Sequence, residues 1–233
     1  MTQLQVSSLK SGYGSVQIVN DVSFDIKQGE IVAVIGRNGV GKTTLIKTII
    51  GALPTISGSI SYKGRDITKL GAAARARLGI GYVPQGRGIF TRMTVAANLG
   101  LGSGVGNAAV PDLKRAFSFF PILEKRLSQL AGSMSGGEQQ QLAIGRILAG
   151  KPEIILFDEP SEGIQPNIVQ EIGSIIRRLR DEQGLTIMIV EQNLQLIRSV
   201  ADYCLVMDKG QLIDRIQPDD LEDPEVAQRY LAI

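Results

Sequence analysis

The chain has 233 residues, enough for one α/β domain with an appended subdomain, and 43% of them are hydrophobic, enough to fill a core. Its 25 basic and 23 acidic residues nearly cancel, to a net +2, and neither sign forms a long block, so charge gives no reason to expect nucleic acid or bare lipid as a partner. With no histidine and one cysteine, zinc sites, histidine general bases and intramolecular disulfides are excluded.

The N-terminal "MTQLQVSSLK" has no apolar leader, and no stretch approaches the roughly 18 consecutive apolar residues needed to span a bilayer. Any membrane role must therefore run through a partner. In chain order, residues 3–9 and 16–26 read as extended segments of an antiparallel sheet, and "IVAVIG" (31–36) reads as a buried strand. "TTLIKTIIGAL" follows as a helix with Leu45, Ile46, Ile49, Ile50 and Leu53 on one face, and "GSISYKG" resembles a third member of the antiparallel sheet. "IGYV" (80–83) is the next buried strand.

From about residue 86 to about 150 the strand signal fades, and this stretch reads as a helical insertion into the α/β core, which is formed by 1–85 and 151–233. Phe90, Met93, Phe117, Phe119 and Phe120 in it are expected mostly in the core. Its Gly-rich run at 102–111 lacks the G-x-G-x-x-G spacing and follows no strand, so it reads as a flexible connection. The strand pattern then resumes with "EIILFD" (153–158), "TIMIV" (186–190) and "YCLVM" (203–207). The first two are joined by a helix that starts at Pro166, repeats Ile168, Val169, Ile172, Ile175, Ile176 and Leu179, and carries Arg177, Arg178 and Arg180 near its end. Cys204, within the last strand, reads as a small buried hydrophobe in a reducing cytoplasm.

Chemistry enters at "GRNGVGKTT", which links strand 31–36 to the following helix. Gly36, Gly41, Lys42 and Thr43 satisfy G-x-x-x-x-G-K-[ST], so the loop Gly36, Arg37, Asn38, Gly39, Val40, Gly41, Lys42, Thr43 and Thr44 is expected to wrap the phosphates of a nucleotide. Lys42 would reach the β- and γ-phosphates and Thr43 would offer its hydroxyl to Mg²⁺. Asp158 and Glu159 end another apolar strand, where adjacent carboxylates make poor core unless a cation and a water meet them. Asp158 suits the Mg²⁺ shell and Glu159 the role of general base toward the attacking water.

Kinases and GTPases share both motifs. "MSGGEQQQLAIGRIL" (134–148) separates them: Ser135 and Glu138 form a capping box, while Gly136 and Gly137 weaken the first helical turn and leave bare N–H groups beside a hydroxyl, a second phosphate-binding surface.

The order of phosphate loop, Gln85 in "YVPQGRGIF", "MSGGEQQQLAIGR", "ILFDEP" and "VEQN" resembles the ATP-binding subunit of an ABC transporter over essentially the whole chain. The resemblance implies a P-loop, RecA-like α/β core with an antiparallel β subdomain and an inserted helical subdomain. It implies ATP and Mg²⁺ as ligands and a head-to-tail pair of ATPase subunits, identical or paralogous. In that pair Ser135, Gly136 and Gly137, with Glu138, act on the ATP held by the other subunit. It also implies Tyr13 stacking on adenine, Gln85 touching Mg²⁺ or the water, membrane permease subunits as partners at the cytoplasmic face, and a periplasmic or extracellular solute-binding protein reached indirectly. Where the family places a histidine against the γ-phosphate, this chain has Gln192, whose amide donates a hydrogen bond but has no proton to exchange near neutral pH. Met134, Glu138 and Gln165 also depart from the common family pattern. Together with "VEQN" they resemble the branched-chain amino acid importers, and "DEPSEGIQP" leans toward the urea and short-amide members. The rival readings are a soluble ABC ATPase acting on a non-transport complex and a metabolic P-loop kinase or GTPase.

Overall fold

The computed structural model describes residues 1–106 and 110–231. In chain order these form β1 (Thr2–Tyr13), β2 (Val16–Lys27), β3 (Ile31–Ile35), α1 (Lys42–Ile49), β4 (Thr55–Tyr62), β5 (Arg65–Asp66), α2 (Ala72–Arg77) and β6 (Ile80–Val83). Next come α3 (Val95–Gly100), α4 (Leu113–Phe119), α5 (Pro121–Lys125) and α6 (Gly136–Leu148). The chain closes with β7 (Ile154–Asp158), α7 (Pro166–Gln183), β8 (Thr186–Val190), α8 (Leu194–Val200), β9 (Tyr203–Asp208), β10 (Gln211–Ile216) and α9 (Pro224–Leu231).

Two sheets organise the molecule. The larger has the order β10-β9-β3-β8-β7-β6 and the smaller the order β2-β1-β4-β5. Strands β9, β3, β8, β7 and β6 run parallel, as the apolar runs predict, because both faces of each are covered. Along β7, Ile155 and Phe157 face one apolar cluster while Ile154 and Leu156 face another. The first cluster joins β7 to α6, α7 and helices of the 86–150 stretch, including buried Phe119 and Phe120, whereas Phe90 is half-exposed. The second cluster packs α1 and the smaller sheet on the opposite face. Cys204 is fully buried in a third cluster, where burial pushes its thiol up to about 12.

The structure adds an edge strand that the sequence reading lacks: β10 pairs antiparallel with β9, and its exposed, polar "QLIDRI" gives no buried-strand signal. It also corrects the flexible connection at 102–111. Leu101–Gly104 is a 3₁₀ turn whose Gly102 is buried, and a Cβ there would meet the Arg146 carbonyl oxygen at 2.2 Å. Residues 107–109 of that stretch lie outside the described residues.

The helix that carries the phosphate loop is fastened at its far end by Arg75, which is 2% exposed. Its guanidinium donates to the carbonyls of Thr48 and Ile49 at the end of α1, both at 2.8 Å, and to Leu70 and Thr68, also at 2.8 Å. The Thr48 and Ile49 carbonyls lie at the negative end of the α1 dipole, where Thr48 otherwise accepts only the Gly51 N–H at 3.0 Å, so a buried cation is stable there. Arg75→Ala strips the guanidinium from the Ile49, Thr68 and Leu70 carbonyls in the interior and leaves Thr48 with the Gly51 N–H alone. It is expected to lower stability by about 3 kcal/mol, a fall of roughly 6–12 °C in Tm for a chain of this size. Calorimetric unfolding tests this, and an unchanged Tm would refute the clamp.

Candidate functional site

Three parallel strands deliver the site. Val34 of β3 pairs with Val190 of β8, and Val190 pairs with Asp158 of β7, so the loops that follow these strands leave the sheet at one edge. Gly36 opens the phosphate loop with φ +147°, and a Cβ there would strike the Met207 carbonyl oxygen at 2.2 Å, so only glycine fits. Gly41 ends the loop and starts α1 without a side-chain cap or an acidic residue in the first turn, leaving its N–H groups for an anion.

Lys42 is 3% exposed, and its Nζ donates to the carbonyls of Gly36 at 2.7 Å and Arg37 at 2.9 Å. Burial holds its pKa below the ordinary lysine value, opposed by the carboxylates of Glu159, Asp158 and Glu191. Asp158 is buried, and its two oxygens accept from the hydroxyls of Thr43 at 3.2 Å and Tyr82 at 3.1 Å. Burial raises the Asp158 pKa, and these two hydrogen bonds counter it. The Thr43–Asp158 pair is a hard oxygen donor set of low charge. It suits a small divalent cation that completes its shell with waters and phosphate oxygens, and among the described residues no cluster of three or more His, Cys, Asp or Glu offers a dedicated cage.

Glu159 adopts φ +48°, uncommon for a residue with a side chain, while its N–H donates to the Val190 carbonyl at 2.8 Å. The bend turns its carboxylate out of the sheet. Gln192 Nε2 donates to one oxygen at 3.1 Å and Gln85 Nε2 to the other at 3.2 Å. The Gln192 amide also donates to Asn38 Oδ1 of the phosphate loop. One chain of amides thus joins Asn38, Gln192, Glu159 and Gln85.

A cavity of about 300 Å³ collects Tyr13, Ile18, Asn38, Gly39, Gly41, Lys42, Thr43, Thr44, Gln85 and Glu159. The side chain of Arg37 departs from this group and donates to the Arg229 carbonyl of α9 at 3.5 Å, so only its backbone belongs to the loop. Val40 packs into the apolar cluster beneath. Ser135, Gly136, Gly137 and Glu138 do not line the cavity. Ser135 and Glu138 close a capping box on α6, and Glu138 also pairs with Arg126 at 2.9 Å. The structure further shows four residues to which the sequence reading gave no role. These are Tyr82 on Asp158, Arg87 bridging from the Gln85 loop to Gln139 of α6 at 2.9 Å, Arg126 on Glu138, and buried Glu191 beside Gln192. A glutamate directly after an all-apolar strand was the one available signal, and it marks Glu191 alone.

A mostly parallel sheet with a Gly-Lys-Thr loop at the C-terminal end of an interior strand, and a hydroxyl–carboxylate pair beside it, defines a P-loop nucleoside triphosphatase. Residues 19–162 match the family described as ABC transporter. The chain is 42% identical over 212 residues to the high-affinity branched-chain amino acid transport ATP-binding protein BraG of Pseudomonas aeruginosa, covering 90% of this chain and 91% of that one. It is 37% identical to the probable branched-chain amino acid transport ATP-binding protein LivF of Archaeoglobus fulgidus, covering 90% and 89%. Among solved structures, the ADP conformation of an ATP-binding cassette of an ABC transporter superposes with a TM-score of 0.84 at 28% identity and 98% coverage of both chains. The chain belongs to the ABC transporter ATP-binding family and is an ATPase that energises transport. No helix among the described residues is long and apolar enough to cross a membrane.

Proposed function

We propose that this chain powers an importer of branched-chain amino acids, or of urea and short amides, from the cytoplasmic face of the membrane. In this reading it acts as one of two ATPase subunits closing head to tail beneath membrane permeases, with a solute-binding protein upstream. The observation that carries the paired arrangement is the one-sided cavity: Lys42, Thr43 and Glu159 line it, and Ser135, Gly136 and Gly137 do not. A serine hydroxyl and two bare glycines at the N-terminus of α6 suit a phosphate, and a second copy presents them to it. The relatives named for branched-chain amino acid transport support the solute class. Half-exposed Phe90, in the stretch after Gln85, offers apolar surface for a permease segment.

Within the site, Tyr13 stacks on adenine, the loop from Gly36 to Thr44 wraps the phosphates, and Lys42 neutralises them. Thr43, Asp158 and Gln85 would hold Mg²⁺, which would supply charge neutralisation to the triphosphate. Glu159 takes a proton from the attacking water, and Gln192 orients Glu159 and the γ-phosphate without exchanging a proton itself.

Gln192→Ala is expected to lower kcat about tenfold with KM for ATP changed less than about threefold, because an orienting contact acts on the transition state. Steady-state ATPase kinetics check it, and an unchanged turnover number would remove Gln192 from the mechanism. The solute is tested in proteoliposomes that hold the chain with its proposed permease partners. ATP-dependent uptake of labelled leucine is expected, uptake of urea or a short amide alone selects the other class, and transport of neither rejects the proposal.

A further inference from the structure

Glu191 is 3% exposed, and although its charge reaches Lys42, no Lys or Arg among the described residues forms a direct ion pair with it. Burying such a group is expensive unless its oxygens are fully engaged. They are. One oxygen accepts the backbone N–H groups of Gln192 at 2.7 Å and Asn193 at 2.9 Å, and the other accepts the N–H of Ser161 at 3.2 Å. The Glu191 N–H itself donates to the Val34 carbonyl at 3.2 Å, which anchors the residue to the end of β3.

The position of these bonds matters. The β7–β8 backbone ladder ends where the Glu159 N–H meets the Val190 carbonyl. Beyond that point the chain after β7 runs to Ser161 and the chain after β8 runs to Asn193. The Glu191 carboxylate spans the two segments where no backbone pair joins them. Gln192 and Glu159 project from these same segments, and their side chains meet at 3.1 Å. From this we infer that Glu191 is a positioning residue, tying the segment after β7 to the segment after β8 and so fixing the spacing between the Gln192 amide and the Glu159 carboxylate.

A carboxylate is the natural side chain for the task because three donors converge on it and it offers acceptors only. The burial that raises its pKa is opposed by those three backbone hydrogen bonds and by one from the Ser161 side chain. The inference rests on the proposed roles of Glu159 and Gln192, and its test separates the two.

Glu191→Gln keeps the shape and replaces one accepting oxygen with an NH₂ that confronts an N–H. The full chain carrying it is expected to lose about tenfold in kcat for ATP hydrolysis, with KM changed less than about twofold. In a Gln192→Ala background, where there is no amide to align, the same substitution is expected to change kcat by less than about twofold. A Glu191→Gln variant with wild-type kcat, or one that loses the same factor in both backgrounds, overturns the inference and leaves Glu191 a staple of the fold alone. Glu191→Ala serves as a second variant and is expected to lose more in kcat. If it does not fold, the isosteric glutamine carries the test. Should Gln192→Ala by itself leave kcat unaltered, the underlying reading of Gln192 falls and this inference falls with it, a result obtained without touching Glu191.

Discussion

Glu159→Gln is expected to cut ATP turnover by roughly 10²–10⁴-fold, the range for removal of a general base, while ATP binding persists. The substitution preserves volume and leaves intact the N–H to Val190 bond that sets the φ of +48°. What disappears is the anionic acceptor on which Gln85 and Gln192 converge at 3.2 and 3.1 Å. With hydrolysis stopped, ATP is expected to hold two copies, or the chain and a paralogue, in the closed pair. A shift to dimer mass by light scattering in ATP, absent in ADP, measures this. Turnover within tenfold of the parent chain would place the base elsewhere. Persistence of monomers in ATP, with or without a paralogue, would argue against a shared site.

Lys42→Met should weaken ATP affinity by about 10²–10⁴-fold, since charge-assisted hydrogen bonds are worth about 1.5–3 kcal/mol each and the proposed role of Lys42 serves two phosphates. Isothermal titration with ATP reads it, and affinity within threefold of the parent would refute the assignment. Stability is expected to hold or rise. Burial lowers the Lys42 pKa, so the folded state disfavours the ammonium relative to the unfolded chain. The sign follows: below the folded pKa the charge is a net penalty, which fades as pH climbs toward the unfolded value of 10.5. Methionine fills much of the same space without the charge. A higher Tm in a chain that no longer binds nucleotide is the signature of a site that trades stability for function.

Much of this was legible without coordinates, for a local reason. A strand buried on both faces is an unbroken apolar run, and a phosphate loop is a contiguous string read against its flanking strand and helix. Strands β3, β6, β7, β8 and β9 and helix α7 were therefore visible along the chain, as was the loop from Gly36 to Thr44. The pair Asp158–Glu159 was visible as two charges ending an apolar strand. Ser135 to Gly137 were visible as a capped, glycine-weakened helix start, but their action on a second subunit's ATP, and the roles of Gln85 and Gln192, came from resemblance, because a single amide has no local pattern of its own.

Only the tertiary structure decided which of these side chains meet. The contacts of Asp158 with Thr43 and Tyr82 join residues 115 and 76 positions apart. The amide chain from Asn38 through Gln192 and Glu159 to Gln85 exists because the sheet order places β3, β8, β7 and β6 side by side. The same holds for Arg75 on the end of α1, Arg126 on Glu138 and the Glu191 tie. Periodicity along a chain records which face of an element is buried, and that much the amino acids determine one segment at a time. Hydrogen bonds between segments depend on strand order and register, which arise only when the separate apolar faces are packed together.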